Sequence, residues 1–323
     1  MNVLVTGGAG FVGHHLIEHI LQNTNWKIVS LDRLDTSGNL NRLSELPIWK
    51  KEKARVKIVH HDLRAEINSQ VARSIGVVDY IFHIAASSHV DRSIENPREF
   101  VENNVLGTCS ILDFARQYDC DRFLYFSTDE VFGPAPDSVR YKEWDRYNSG
   151  NPYAATKAGA EELCLSYANT FGLKIVITHT MNVFGERQHP EKFIPSTIRK
   201  VLKGETVTIH SSKDGVPGSR FYIHARNVAA AACHVMGNVL EKKVNIVGEK
   251  EVNNLDMARL IANEIGESLK YQLVDFHSSR PGHDLRYALD GRLLIEQGWT
   301  HPVGFEESLR KTIRWTMKHR EWL

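Results

Sequence analysis

The first limits on this chain come from what it lacks. It has only four cysteines, Cys109, Cys120, Cys164 and Cys233, scattered with no pair at metal-ligand spacing. A disulfide scaffold is therefore not expected, and reduced structural thiols are. No apolar run approaches the roughly 18 residues that a membrane span needs. Neither sign of charge dominates: the formal net charge is +1, which removes the electrostatic case for nucleic acid or a membrane surface. There are no internal repeats and no low-complexity linker. The sixteen histidines include no His-x-x-x-His or His-Glu pair with a third ligand, so no metal site is expected and they are read as mostly surface. Met1 to Gly7 runs directly into a structural motif, giving the expectation of no signal peptide and a cytoplasmic setting.

What remains is an ordinary globular composition, 42% hydrophobic and 24% charged, over 323 residues. That length suits about two domains and a large core. Short apolar runs alternate with helical periodicity. Strands are predicted at 2–5, 27–31, 56–60, 80–84, 122–127 and 174–178, with helices after Gly13, over 97–118 and over 153–171. Strand–helix alternation implies parallel pairing with right-handed crossovers, hence an α/β, Rossmann-like, doubly wound sheet. After about 183 the texture changes to proline, glycine and short mixed segments. Further helices are read near 227–236, 256–265, 291–297 and 305–322, and a strand at 244–247. The expected division is a Rossmann-like domain of 1–182, with 223–250 returning to it, and a smaller discontinuous substrate lobe of 183–222 and 251–323.

Three pieces of this frame carry chemistry. Gly7-x-x-Gly10-x-x-Gly13 lies between a strand and a helix, where glycine backbone can approach a pyrophosphate and the helix N-terminus offers amides. Alone it also fits a tight turn without ligand. Asp32, at the end of the second strand, is placed to accept the adenosine ribose hydroxyls and to repel a 2′-phosphate, favouring NAD over NADP despite the neighbouring Arg33. Asp62 and Leu63, at the end of the third strand, are placed at an adenine edge, although an isolated Asp there also reads as a helix cap. Tyr153 and Lys157 stand four apart on one helix face. An ammonium beside a phenol lowers the phenol's pKa from roughly 10 and suits it to take an alcohol proton as hydride leaves. Finally, Ser127-Thr128-Asp129-Glu130 ends an apolar strand with two hydroxyls and two adjacent carboxylates. Such a pair cannot easily ionise together, which separates an acid from a base.

With these pieces together the chain resembles the extended short-chain dehydrogenase/reductase superfamily over essentially its full length. Ser127-Thr128-Asp129-Glu130-Val131-Phe132-Gly133 resembles the signature of its nucleotide-sugar 4,6-dehydratases, of the dTDP-glucose 4,6-dehydratase type. Ser88 to Ile94, Pro190 to Pro195 and Arg280-Pro281-Gly282-His283-Asp284-x-Arg286-Tyr287 are also similar to them. The resemblance implies NAD held by Gly7, Gly10, Phe11, Val12, Gly13, Asp32, Asp62, Leu63, Ile84, Ala85, Ala86, Asn103, Tyr153 and Lys157. It implies catalysis by Thr128, Asp129, Glu130, Tyr153 and Lys157. It also implies a nucleotide sugar contacted by Ser88, Thr128, Asn182, Lys192, Phe193, Arg220, Asn254, Arg280, His283 and Tyr287, with Lys192, Arg220 and Arg280 on the diphosphate. A homodimer through the helices over 97–118 and 153–171 is implied as well. The chain departs from the pattern at Ser87, where the dehydratases often have Glu, at Met181-Asn182-Val183, at Phe132 and at Phe221. Other readings are a nucleotide-sugar 4-epimerase or decarboxylase, which would not use the Asp129–Glu130 pair, and a non-catalytic NAD-binding regulator.

Overall fold

The structure, a computed structural model, describes residues 1–35, 37–238, 241–276 and 285–323. Six strands, β1 (Asn2–Thr6), β2 (Lys27–Asp32), β3 (Val56–His60), β4 (Tyr80–His83), β5 (Arg122–Thr128) and β6 (Ile175–Thr180), form one parallel sheet with a seventh, Lys243–Ile246. Their order is β3-β2-β1-β4-β5-β6 and then Lys243–Ile246. The chain winds outward in one direction from β1 and then reverses to β4. Between β1 and β4 the carboxyl ends of the strands open a crevice, the usual ligand position of such sheets. Every residue of β6 and of the seventh strand is buried, as expected where helices cover both faces. The seventh strand comes from the 223–250 segment and pairs with β6 from Lys243↔Ile177 to Ile246↔Thr180.

Each sheet face has its own core. On one, Leu16, Ile17 and Ile20 of the helix Phe11–Asn23 meet Val228, Ala232 and Val235 of the helix Ala225–Asn238. On the other, Ile111, Leu112 and Ala115 meet Ala160 and Cys164 of the helix Pro152–Phe171. A third cluster, with Ile194, Ile198, Met257, Ile261, Phe305, Leu309 and Ile313, joins three helices that lie beyond the sheet.

Two expectations change. The helix predicted over 97–118 is not uniform: α-helix at Pro97–Phe100 widens to π-helix at Val101–Leu106 and returns to α-helix at Gly107–Gln117. A π segment takes up an extra residue per turn and re-aims its side chains. Here it turns buried Asn104 inward to donate to Thr156 Oγ1 and the Ser87 carbonyl, both at 3.0 Å. The histidines are also not mostly surface. His14, His15, His83, His179 and His224 are all buried. Four of these have a specific polar partner beyond their own helix. His83 lies between the Thr6 and Thr108 hydroxyls, His15 reaches the Glu186 carbonyl, His224 pairs with Glu186, and His179 with Glu161. A ring with two polar nitrogens can be buried when both are satisfied, and composition does not reveal such partners. The four cysteines are all free.

Candidate active site

The crevice is a cleft of about 450 Å³ running from the glycine turn to Lys192. At its first end β1 stops at Thr6 and the chain turns through Gly7 with φ +72°. The glycines there are required by contact as much as by conformation. A Cβ on Gly13 would lie 2.1 Å from the Gly7 carbonyl oxygen, and one on Gly10 3.0 Å from the same oxygen. The helix therefore starts close enough to β1 to leave its first amides at the cleft floor, a cradle that fits a dinucleotide pyrophosphate. Asp32 closes the second strand with one oxygen on the Ala9 amide (3.1 Å) and the other on the Leu34 amide (2.9 Å). Burial raises its pKa, while those two amides pull it down. Arg33 turns to Asn103 and Asp35, and Asp62 is bound by Arg64. All fourteen residues expected to hold NAD line this one cleft.

At the other end the residues expected to be catalytic converge because two elements meet there. β5 finishes at Thr128, and a single 3₁₀ turn, Asp129–Phe132, follows, capped by the Thr128 hydroxyl on the Glu130 amide. The helix Pro152–Phe171 starts opposite, with Asn151 as its cap (Oδ1 to the Ala154 amide, 2.8 Å) and Pro152 at its first position, as helix starts favour. The same Asn151 donates from Nδ2 to Glu130 at 3.1 Å, so the helix cap also aims the carboxylate. Tyr153 is set by its amide on the Ser93 hydroxyl (3.1 Å) and by the Phe100 ring.

The electrostatics divide the two acids. Burial, then the charge of Glu130, raises Asp129 to about 7. Its Oδ1 accepts from the Thr128 hydroxyl at 3.1 Å, while Oδ2 is buried with no hydrogen-bond partner among the described residues. A carboxyl in that state can carry and deliver a proton near neutrality. Lys157 is buried, donates to the Phe126 carbonyl at 2.6 Å and lies over the Tyr125 ring. Burial lowers it to about 7. The tyrosine differs from expectation. Burial, then Glu130, pushes the Tyr153 phenol above its ordinary range, and a hydrogen bond with Thr128 opposes this. The ammonium's own bond goes to the Phe126 carbonyl, so a neighbouring cation does not lower this phenol by direct pairing.

Ser88, Asn182, Lys192 and Phe193 line the cleft together with Thr128, Asp129, Glu130, Tyr153 and Lys157. Arg220, Asn254 and Tyr287 stand apart from its lining. Arg220 donates to the Ser219 and Leu285 carbonyls and lies over the Tyr287 ring, and Asn254 accepts from Tyr222. Arg280 and His283 lie outside the described residues. Sequence reading missed Ser93, Asn104 and Asn151. Asn151 was within reach, since Asn-Pro just before a helical stretch is a start signal. Ser93 and Asn104 act across distant elements and left no local signal. Among the described residues no group of three His, Cys, Asp or Glu could hold a metal ion, and no helix is long and apolar enough to cross a membrane.

One family's sequence model matches residues 3–248, a range that includes the glycine turn, Asp32 and the Tyr153–Lys157 helix. The chain belongs to the NAD dependent epimerase/dehydratase family. It is 33% identical to the dTDP-glucose 4,6-dehydratase of Escherichia coli, covering 100% of this chain and 95% of that protein. It is 38% identical to the low-salt glycan biosynthesis protein Agl12 of Haloferax volcanii, covering 97% of each. Among solved structures it resembles the dTDP-glucose 4,6-dehydratase DesIV of Streptomyces venezuelae, determined with NAD bound, at 34% identity and a TM-score of 0.90 over 100% of this chain and 98% of that one. NAD is the cofactor of this family member.

Proposed function

We propose that this protein is an NAD-dependent nucleotide-sugar 4,6-dehydratase that converts dTDP-glucose to its 4-keto-6-deoxy product. The observation that carries the reading is the Asp129–Glu130 pair, with one member buried and proton-bearing near neutrality, beside Tyr153 at the open end of β5. Full-length likeness to dTDP-glucose 4,6-dehydratases supports the choice of nucleotide. The setting is cytosolic and the working unit a homodimer.

NAD, when bound, would supply the hydride-accepting chemistry at C4 and the hydride-donating chemistry at C6. Gly7, Gly10 and Gly13 would hold its pyrophosphate, and Asp32 its ribose. Tyr153 takes the proton of the sugar 4-hydroxyl, with Thr128 hydrogen-bonded to the same oxygen. The buried Lys157 ammonium favours the phenolate through its field. Once C4 is a ketone, the C5 proton is acidic. Glu130, aimed by Asn151, removes it, and Asp129 protonates the departing 6-hydroxyl, so that water leaves; when C6 is reduced, Glu130 gives its proton back to C5, which completes the 4-keto-6-deoxy product. Ser88, Asn182 and Lys192 hold the sugar and its diphosphate. Glu130→Gln tests the assignment. The variant should lose dehydration by roughly two to four orders of magnitude while still reducing nicotinamide on mixing with substrate. Dehydration at the wild-type rate would remove Glu130 as the base.

A further inference from the structure

Glu161 has no accessible surface, yet nothing in the dehydration chemistry uses it. It stands one turn beyond Lys157 on the same helix, behind the strand end that carries the catalytic hydroxyl and acids. Donors from four other parts of the chain meet its carboxylate. The Ser127 hydroxyl of β5 donates to one oxygen and the Tyr147 hydroxyl to the other. His179 of β6 reaches that second oxygen at 3.1 Å, and Lys243 of the last strand lies 3.7 Å away, itself donating to Tyr147 at 2.5 Å. Behind these, His179 Nδ1 meets Asn245 Oδ1 at 2.9 Å, and Phe132 packs against both Tyr147 and His179. A buried carboxylate is costly unless paired and fully hydrogen-bonded, and this one is both.

On the other side, Lys157 is held by a carbonyl and a ring face, neither of which is a net charge. The remaining titratable groups against it are neutral near pH 7. His83 is lowered to about 3, first by burial and then by Lys157 itself, and burial pushes the Cys164 thiol and the Tyr125 phenol well above their usual ranges. Glu143, which accepts from the Asn245 amide, and Glu162 are the other acids near the network. Asp129 and Glu130 face Tyr153 at the cleft.

We propose that Glu161 is a positioning residue of the redox step: its fixed carboxylate is the counter-charge that keeps Lys157 an ammonium, and its bond to Ser127 braces the strand end presenting Thr128, Asp129 and Glu130. The sign of the effect follows from charge. Burial pulls Lys157 down to about 7, and the Glu161 carboxylate opposes that pull. Burial would also raise Glu161, but His179, Ser127 and Tyr147 outweigh it and hold the acid below its usual value, so the negative charge is present throughout the working range. Removing it leaves Lys157 neutral at a pH where the wild type is still charged. The active form is the ammonium, so the alkaline limb of the redox step moves to lower pH. Removing Lys243, a cation against the same carboxylate, moves that limb to higher pH.

This inference rests on reading Tyr153 and Lys157 as the redox pair. The experiment follows nicotinamide reduction against pH with a 6-deoxy nucleotide sugar, which has no 6-hydroxyl to lose, and every variant is made in an Asp129→Asn background, so that the ionisation of Asp129 beside Tyr153 does not enter the profile. Glu161→Gln should shift the alkaline limb down by about one unit or more. Glu161→Asp should leave it near the wild-type position, and Lys243→Met should shift it up. A Glu161→Gln profile lowered by one factor at every pH, or superimposed on the wild type, would overturn the proposal. If Glu161→Gln does not fold, Lys243→Met decides alone: an unmoved or lowered limb overturns it. Lys157→Met with undiminished turnover would instead remove the redox-pair reading itself. A required Lys157 with no displacement in these variants removes only the role of Glu161.

Discussion

Asp129 couples stability to chemistry. Its pKa is raised from 3.8 to about 7, so its protonated form is favoured by the fold. A raised acid contributes stability that is complete below the unfolded value and is lost as pH rises through the folded one, so the window here is about pH 4 to 7. Asp129→Asn presents a neutral group at every pH. Thermal unfolding at pH 8 should therefore occur on the order of 2–5 °C higher than in the wild type, with no gain at pH 4, while dehydration falls by two to four orders of magnitude. Equal stability of the two proteins at pH 8 would place the ionised carboxylate in a solvated rather than a buried state. That Asp129 and Glu130 end a strand and that Tyr153 and Lys157 share a helix face was legible in the sequence because their spacing is local. The division of Asp129 from Glu130 was legible only as a possibility, since burial decides which acid keeps a proton.

At the scale of elements, the turn from β1 into the first helix shows why spacing was readable. Gly13 sits where a Cβ would lie 2.1 Å from the Gly7 carbonyl oxygen and 2.8 Å from the Gly8 Cα, and backbone cannot yield as a flexible side chain can. Gly13→Ala should lower NAD affinity at least tenfold and cost about 1–3 kcal/mol of stability, measured by calorimetric titration and thermal unfolding. Wild-type NAD affinity would mean that the turn adapts without moving the amides. The helix over 97–118 was legible as a helix from its apolar stripe. Its π segment was not, because the stripe of Phe100, Ile111 and Leu112 continues on both sides and the widening serves Asn104, whose partners Ser87 and Thr156 are distant in sequence.

For the whole molecule, the proposed dimer is the testable feature. Val101 and Leu106 of the π segment are about half exposed, 49% and 48%, and they share a helix whose other face is core. Light scattering should report twice the 36.7 kDa of one chain. Leu106→Glu should shift it to the single-chain mass with the fold intact, whereas an unchanged dimer would place the interface elsewhere. A panel of dTDP-, UDP- and GDP-glucose should show turnover fastest with dTDP-glucose by at least tenfold. Product mass should be lower by one water. Faster turnover of UDP-glucose would overturn the base assignment and leave the dehydration in place.

The sequence by itself determined the sheet, its glycine turn and the placing of Asp129 and Glu130 at a strand end and of Tyr153 and Lys157 on one helix face, because each depends on periodicity or on neighbours within one or two turns. Only the tertiary structure decided which acid holds a proton, where the Lys157 ammonium points and what stands behind it. Those outcomes depend on burial and on partners far apart in the chain, such as Tyr147, Glu161, His179 and Lys243, which meet only when β5, β6 and the last strand lie side by side. The histidines make the same point. Counted along the chain they read as surface, yet folded, His83, His179 and His224 are buried where hydroxyls and carboxylates meet their nitrogens.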